Sequence, residues 1–361
     1  MNDTSKLQEI RDRIDALDQH IQKLINERAA MAQEIARLKQ GGGDADSYYR
    51  PEREAEVLRK VVERNQGPLS GEEIARLFRE IMSACLSLQQ PMKVAYLGPE
   101  GTFTQAAALK HFGHSVQTHS SGSIDEVFRD VESRAAHFGV VPVENSTEGV
   151  VRHTLDMFIN SPLRVCGEVE LRIHHHLLSK AGNIADIKRV YAHQQALAQC
   201  SNWLATHLES AEHYFESSNA EAARRAATEE GAAAIAGATA AELYGLKVLA
   251  SNIEDEPDNT TRFLVIGHRA PVPSGHDKTS LLLSAPNRPG ALHRLLDPLM
   301  RHGISMSRIE SRPSRRGMWE YVFFIDIDGH AQDANVAEAL KALNSEAAML
   351  KVLGSYPKAI L

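Results

Sequence analysis

The sequence predicts a multidomain protein of mixed class, with an all-helical segment first, an α/β segment second and an α+β segment last. Three changes of texture predict it. Up to residue 90 the apolar side chains step by three and four. From 93 to 268 short apolar strands alternate with helical stretches. From 279 the order is strand, helix, strand, strand, helix, strand. At 361 residues the chain exceeds one core, because single cores stop growing at roughly 250–300 residues. The expected units are 1–90, 93–268 and 279–361.

In the first unit Leu7, Ile10, Ile14, Leu17, Ile21, Leu24, Met31, Ile35 and Leu38 form a heptad seam on one long helix. GGGDADS (41–47) breaks it. A second helix is expected from about Pro51 to Arg64. After the loop NQGPLSGEE, a third runs from about Glu72 to Gln89, with Ile74, Leu77, Phe78, Ile81, Cys85 and Leu88 as its apolar face. The seam's gap falls on Arg28. Either the seam opens to water there and the arginine fixes register, or an anion meets it. Lys39 lies about 16 Å farther along the same face, near enough for two long side chains to converge on one small dianion. Arg11 lies about 26 Å the other way and reaches that ligand only from the antiparallel helix of a second chain. If all three serve one ligand, the spacing asks for a dimer. Arg53 and Glu54 on helix two and Gln89 on helix three add polar candidates.

The second unit is α/β: VAYLG then FTQAAALKHF, FGVVPVE then GVVRHTLDMFI, RVYAH then QALAQCSNWLATHL. Three polar punctuations interrupt it, LGPEGTFTQAA (97–107), PVENSTEGVV, and EDEPDNTTRFLVIG (254–267). Each reads singly as a turn or helix cap. Together, at strand boundaries, they read as one ligand cleft between two lobes. His174, His175 and His176 suggest a metal, but neighbours on a strand point to opposite faces and do not converge; no metal is expected. APVPSGHDK (270–278) is a linker by composition. The third unit is βαββαβ, the ferredoxin-like order. Its telling stretches are NRPGALHRLL, a glycine turn into a helix suited to a carboxylate, and SRIESRP at a strand end.

Composition narrows the class. Hydrophobic content is 43%, charged content 24% and net charge −7, with no basic tract, which argues against a general nucleic-acid binder. No apolar run has membrane-spanning length, and the charged N-terminus lacks a signal-peptide core. Cys85, Cys166 and Cys200 are odd in number and far apart, as expected of reduced thiols in a cytoplasm.

The quoted stretches also resemble known families. Through LQEIRDRIDALD, NERAAMAQEIARLK, PEREAEVL and RLFREIMSACLSLQQ, residues 7–90 resemble the helical, intertwined-dimer chorismate mutase domain at the front of bifunctional P-proteins. The resemblance implies that Arg11 of a partner chain, Arg28 and Arg53 hold the two carboxylates of chorismate. Lys39 and Gln89 would face the ether oxygen, and Glu54 the ring hydroxyl. Cys85, also in the substrate set, stands where a well-known member has serine, and Arg50 where it has aspartate. A Claisen rearrangement of this kind needs a dianion held compact and donors at the ether oxygen, with no cofactor.

GPEGTF, VPVENSTEG, LRIHHHLL, YAHQQALAQC and TTRF make residues 93–268 resemble prephenate dehydratase, a two-lobed α/β domain like a solute-binding protein. The implied reaction is loss of carbon dioxide and the ring hydroxyl from prephenate, giving phenylpyruvate. Thr261 is the expected proton donor or hydrogen bond to the leaving group. Gly101, Thr102, Phe103, Asn145, Ser146, Thr147, Thr260 and Phe263 would orient substrate. Glu144 is acid or scaffold, and Arg262 binds a carboxylate or forms a structural ion pair. The GAL and ESRP stretches resemble the ACT domain, which implies L-phenylalanine as feedback effector at Asn287, Gly290, Ala291, Leu292, Glu310, Ser311, Arg312 and Pro313. The expectation is a cytoplasmic homodimer, or a higher oligomer, acting on chorismate and prephenate without cofactor, nucleic acid or membrane.

Overall fold

The computed structural model describes residues 3–39, 49–285, 288–313 and 321–360. The helical unit is α1 (Asp3–Lys39), α2 (Pro51–Glu63) and α3 (Gly71–Ser87). α1 has neither glycine nor proline over its 37 residues, so nothing interrupts a rod of about 55 Å. Its seam residues from Leu7 to Leu38 remain 48–79% exposed. Only its last third is covered, where Ala32 and Ala36 are buried and the helix meets α3. Pro51 opens α2 at a position whose missing N–H costs nothing. Ser70 caps α3 by accepting from the Glu73 amide at 3.1 Å.

The first lobe holds β1 (Lys93–Leu97), α4 (Phe103–Phe112), β2 (Gln117–Ser121), α5 (Ile124–Glu132), β3 (Phe138–Asn145), β4 (Gly149–Val150), α6 (Arg152–Asn160) and β5 (Arg164–Arg172). The second holds β6 (His176–Ser179), β7 (Arg189–Ala192), α7 (Gln194–Gln199), α8 (Ser201–His207), β8 (Glu212–Phe215), α9 (Asn219–Ala226), β9 (Ala232–Ala236), α10 (Ala238–Tyr244) and β10 (Lys247–Ala250). The chain then returns to the first lobe as β11 (Thr260–Gly267). The first sheet runs β2-β1-β3-β11-β5 with β4 beside β3, and the second runs β10-β6-β9-β7-β8. The two crossing segments bond to each other. The Ile173 amide donates to the Asn259 carbonyl and the Ile253 amide to the His175 carbonyl, each at 2.8 Å.

The last unit is β12 (Asp277–Ser284), α11 (Ala291–Arg301), β13 (Met306–Pro313), β14 (Tyr321–Asp328), α12 (Ala334–Glu346) and β15 (Met349–Pro357). Its sheet order β13-β14-β12-β15 is the ferredoxin-like one. α11 and α12 cover one face. The other stacks on the first lobe, where Leu282, Val322, Phe324, Leu353 and Tyr356 share a core with Val143, Leu155, Phe158 and Val165. At Gly354 the sheets come so close that a Cβ would lie 2.1 Å from the Val165 carbonyl oxygen. No described helix is long and apolar enough to cross a membrane.

Candidate active sites

Strand alternation decides what the inter-lobe cleft receives. Asn145 and Thr261 face each other across β3 and β11 and point into a cavity of about 430 Å³. Phe103, Phe263, His175, His193, Gln199, Asn219 and Asn259 also line it. One hydrogen-bond chain fixes the polar groups. Asn145 Oδ1 accepts from the Thr147 amide (3.0 Å), the Thr147 hydroxyl (2.7 Å) and the Glu148 amide (3.0 Å). Three donors on one oxygen settle which end of the amide is which. Asn145 Nδ2 therefore donates both its hydrogens, to Asn259 Oδ1 at 2.7 Å and to Thr261 Oγ1 at 2.8 Å. The Thr261 oxygen is thus an acceptor toward Asn145, and its own proton is left to donate elsewhere. No acceptor for it occurs among the described residues.

The second lobe closes the chain. Gln199 Oε1 accepts from Asn259 Nδ2 at 3.2 Å and meets His175 Nε2 at 2.9 Å. Gln199 Nε2 donates to Thr147 Oγ1 and Glu148 Oε1. An acceptor oxygen opposite His175 Nε2 puts the ring proton there. Burial pushes the His175 pKa below its ordinary value, so the ring stays neutral. Glu148 is the one charged side chain lining the cleft among the described residues. Positive potential comes instead from backbone: Phe103 begins α4, Val151 precedes α6 and Asn219 begins α9, and all three line the cavity.

Several expected residues lie elsewhere. Glu144, Thr260 and Arg262 alternate with the cleft residues and face away from it. Arg262 donates to Glu168 at 2.8 Å, Asp326 at 2.6 Å and the Tyr356 hydroxyl at 3.0 Å, so it is a structural ion pair. Glu144 meets Arg308 of the last unit at 3.0 Å, which makes it scaffold. Ser146 braces the loop, its hydroxyl accepting from the Thr260 amide at 2.9 Å. Thr102 caps α4 and donates to the Pro99 carbonyl at 3.0 Å. Gly101, at φ 84°, packs against Ala240 of α10. His175, Gln199 and Asn259 were missed as site residues. The alternation that dismisses a metal at the histidines also separates them. His174 pairs with Glu254 at 2.8 Å, and His176 Nδ1 accepts from the Asn252 amide at 3.2 Å. The middle histidine alone enters the cleft.

In the helical unit Arg28 and Lys39 are half-buried and flank buried Ala32 and Ala36 on one face of α1. Burial first, and then Arg50, lower the Lys39 pKa. Cys85 is buried in α3, and Gln89 follows the helix end. Arg11 lies exposed on the uncovered part of α1. Arg53 is exposed and paired with Glu56 at 2.5 Å. Glu54 has different surroundings. It lies 3.7 Å from Arg79, in a small cavity shared with Tyr49, His111, Cys166 and Ile360. Arg28, Lys39 and Gln89 do not line that cavity. Burial raises the Glu54 pKa to about 7.

In the last unit Gly290 adopts the left-handed φ of 73° before Ala291 and Leu292 begin α11. Asn287 lies outside the described residues. On β13 Glu310 and Arg312 are half-buried, while Ser311 and Pro313 are exposed. Arg312 donates to both carboxylate oxygens of Asp156 at 2.8 and 3.0 Å and so is engaged with the first lobe.

Comparison with known proteins agrees with this architecture. Residues 10–90 match the family model for chorismate mutase type II, 94–271 that for prephenate dehydratase and 279–345 that for the ACT domain. A bifunctional chorismate mutase/prephenate dehydratase from Pseudomonas aeruginosa is 56% identical over the full length of both chains. One from Neisseria gonorrhoeae is 54% identical over 97% of each. The crystal structure of prephenate dehydratase from Arthrobacter aurescens in complex with L-Phe superposes with a TM-score of 0.68 at 37% identity, covering 74% of this chain and 90% of that one. The chain belongs to the family of bifunctional chorismate mutase/prephenate dehydratases that carry an ACT domain.

Proposed function

We propose that the chain converts chorismate to prephenate in its helical unit and prephenate to phenylpyruvate in the inter-lobe cleft, under feedback from L-phenylalanine at the ACT domain. The observation that carries the dehydratase half is the fixed Asn145 amide, which leaves the Thr261 proton free to donate. In the reaction the ring carboxylate leaves as carbon dioxide, its bonding pair enters the ring, and the ring C–O bond breaks. Thr261 donates a hydrogen bond to that departing oxygen. A threonine hydroxyl is too weak an acid to act alone, so it stabilises charge and relays a proton. The α4, α6 and α9 N-termini favour the substrate's two carboxylates. Neutral His175 and Gln199 orient without adding charge.

For the mutase half, Arg28 and Lys39 supply one wall of a dianion site, and Arg11 of a second chain supplies the other. The exposed α1 seam supports a homodimer, because each half-exposed seam side chain would stabilise by about 1 kcal/mol on burial. Arg53, Gln89 and Cys85 complete the site when the partner helix packs. The α11 start and the β13 end bind the effector, with the carboxylate at the Gly290 turn.

The test is one assay with two readouts. Chorismate is supplied without metal or cofactor, and its loss is followed together with phenylpyruvate formation, with and without L-phenylalanine. Both signals, suppressed by phenylalanine, are expected. Prephenate accumulating would sink the Thr261 assignment, and unchanged chorismate would sink both.

A further inference from the structure

Two residues turned out of the cleft lead to the sensor. Glu144 and Arg262 face each other across β3 and β11, one step from the facing pair Asn145 and Thr261. On the ACT sheet Arg308 and Asp326 face each other across β13 and β14. Where the sheets stack, the outward pairs meet with opposite signs. Arg308 Nε lies 3.0 Å from Glu144 Oε2, and Arg262 Nη1 donates to Asp326 Oδ2 at 2.6 Å. Arg308 Nη1 and Asp326 Oδ2 lie 3.9 Å apart, so the charges form a chain of alternating sign. The arginine side chains are each 11% exposed and that of Asp326 is 5% exposed.

We propose that this four-charge clasp sets the geometry of the Asn145–Thr261 pair from the ACT domain, with Arg308 as the positioning residue. Consecutive Cα atoms are held about 3.8 Å apart, so a displaced Glu144 carries Asn145 with it. Asn145 in turn aims the Thr261 hydroxyl. The contact between Arg308 and Glu144 is not a well-aligned hydrogen bond, since Arg308 Nε and Nη2 are buried without hydrogen-bond partners among the described residues. A second arrangement, in line with Glu144 or released from it, is therefore available to the same side chain, as a switch requires. Arg308 stands two residues before the Glu310–Pro313 stretch of β13. The link to phenylalanine rests on the effector reading of that stretch; the link to turnover does not.

Full-length Arg308→Gln is measured for dehydratase kcat and KM, phenylalanine inhibition, and phenylalanine binding by calorimetry, with chorismate mutase rate as the control for folding. Expected is a fall in kcat of about tenfold with KM little changed, within the usual range of coupling effects. Inhibition should weaken about tenfold while phenylalanine still binds. Glu144→Gln should match it, the double variant should be no worse than either, and Arg308→Lys should recover part of kcat. Wild-type kcat and inhibition in Arg308→Gln overturns the proposal. So does a loss of phenylalanine binding in step with inhibition, which would put Arg308 in the effector site. If Arg308→Gln loses mutase activity through misfolding, Glu144→Gln and Arg308→Lys decide on the same readouts. Wild-type protein that binds no phenylalanine would remove the effector reading, while the kcat comparison would still judge the clasp.

Discussion

The inter-lobe cleft and the helical unit, the two sites proposed to hold a dianionic substrate, are organised in opposite ways. The cleft is assembled from one chain. Asn145, Gln199 and the Asn259–Thr261 segment lie far apart in sequence, yet they satisfy one another's hydrogen bonds before any ligand arrives. The helical unit brings Arg28 and Lys39 together on α1, and the rest of α1 presents its apolar seam to solvent. Preorganisation in the cleft comes from a closed polar network. In the helices, on the homodimer reading proposed above, it waits for a partner to pack. On that reading a site of the first kind is damaged by changing one amide, and one of the second kind by anything that separates two chains.

Thr261→Ala tests the cleft most severely. Dehydratase kcat should fall about 10³-fold, the scale of losing a key transition-state donor. Mutase turnover should not change, and Thr261→Ser should recover most of the loss. Equal damage to both reactions would show that the two sites are not independent. For the helices, Arg28→Ala and Arg11→Ala should each reduce mutase kcat/KM by roughly 10²-fold with the dimer intact in sedimentation. Mixed and re-annealed, the two variants should regain about a quarter of wild-type mutase activity, because half the dimers are hybrids and each hybrid has one intact site. No recovery on mixing would mean that both arginines serve the same chain's site, and the contrast with the cleft would disappear.

Asn145→Asp should have a smaller effect, about 30-fold on dehydratase kcat, since it replaces the donating amide with an acceptor that turns the Thr261 proton inward. Steady-state rates at pH 5 and pH 8 would show whether protonating the new carboxyl restores donation.

The last expectation concerns stability, with no change in either reaction. Glu54 titrates at about 7 in the folded protein and near 4.3 unfolded. The folded state therefore binds the extra proton, and stability falls as pH rises from about 4.5 to 7. The total is about 4 kcal/mol, complete above pH 7. Glu54→Gln should raise Tm at pH 8 and leave it unchanged at pH 4.5. If it lowers Tm at pH 8 as well, Glu54 is held ionised by Arg79, and burial is not the controlling influence.

Much of this was legible in the sequence, because texture follows period. The α1 seam, the alternating β and α stretches and the βαββαβ order are local patterns, and the elements formed where those patterns lay. Thr261 and Asn145 were legible because polar side chains ended apolar strands. Sequence left open which face each neighbour takes. Glu144 and Arg262 sit beside true cleft residues, and strand alternation sends them to the ACT sheet. His175 and Gln199 carry no local signal. Their position depends on where two crossings bring the second lobe, a long-range outcome that periodicity does not encode. The surroundings of Glu54 were hidden for a related reason. The helix face it occupies packs against the first lobe and the chain's end, neighbours that the helical segment alone does not announce.

The placement of β11 also governs how the protein is made. It is the last strand of the two-lobed unit to be synthesised, yet it lies in the middle of the first sheet, between β3 and β5. As the chain leaves the ribosome, β3 and β5 emerge with their mutual partner missing, and the whole second lobe must follow before the gap can close. The first lobe is therefore the later of the two to finish. Its half-built sheet exposes two valine-rich edges during that interval. A chain stopped before residue 260 would keep a foldable helical unit and second lobe but leave β5 cut off from the β2-β1-β3 part of the first sheet, so pulse-labelled nascent chains should gain full protease resistance in β3 only after β11 has emerged.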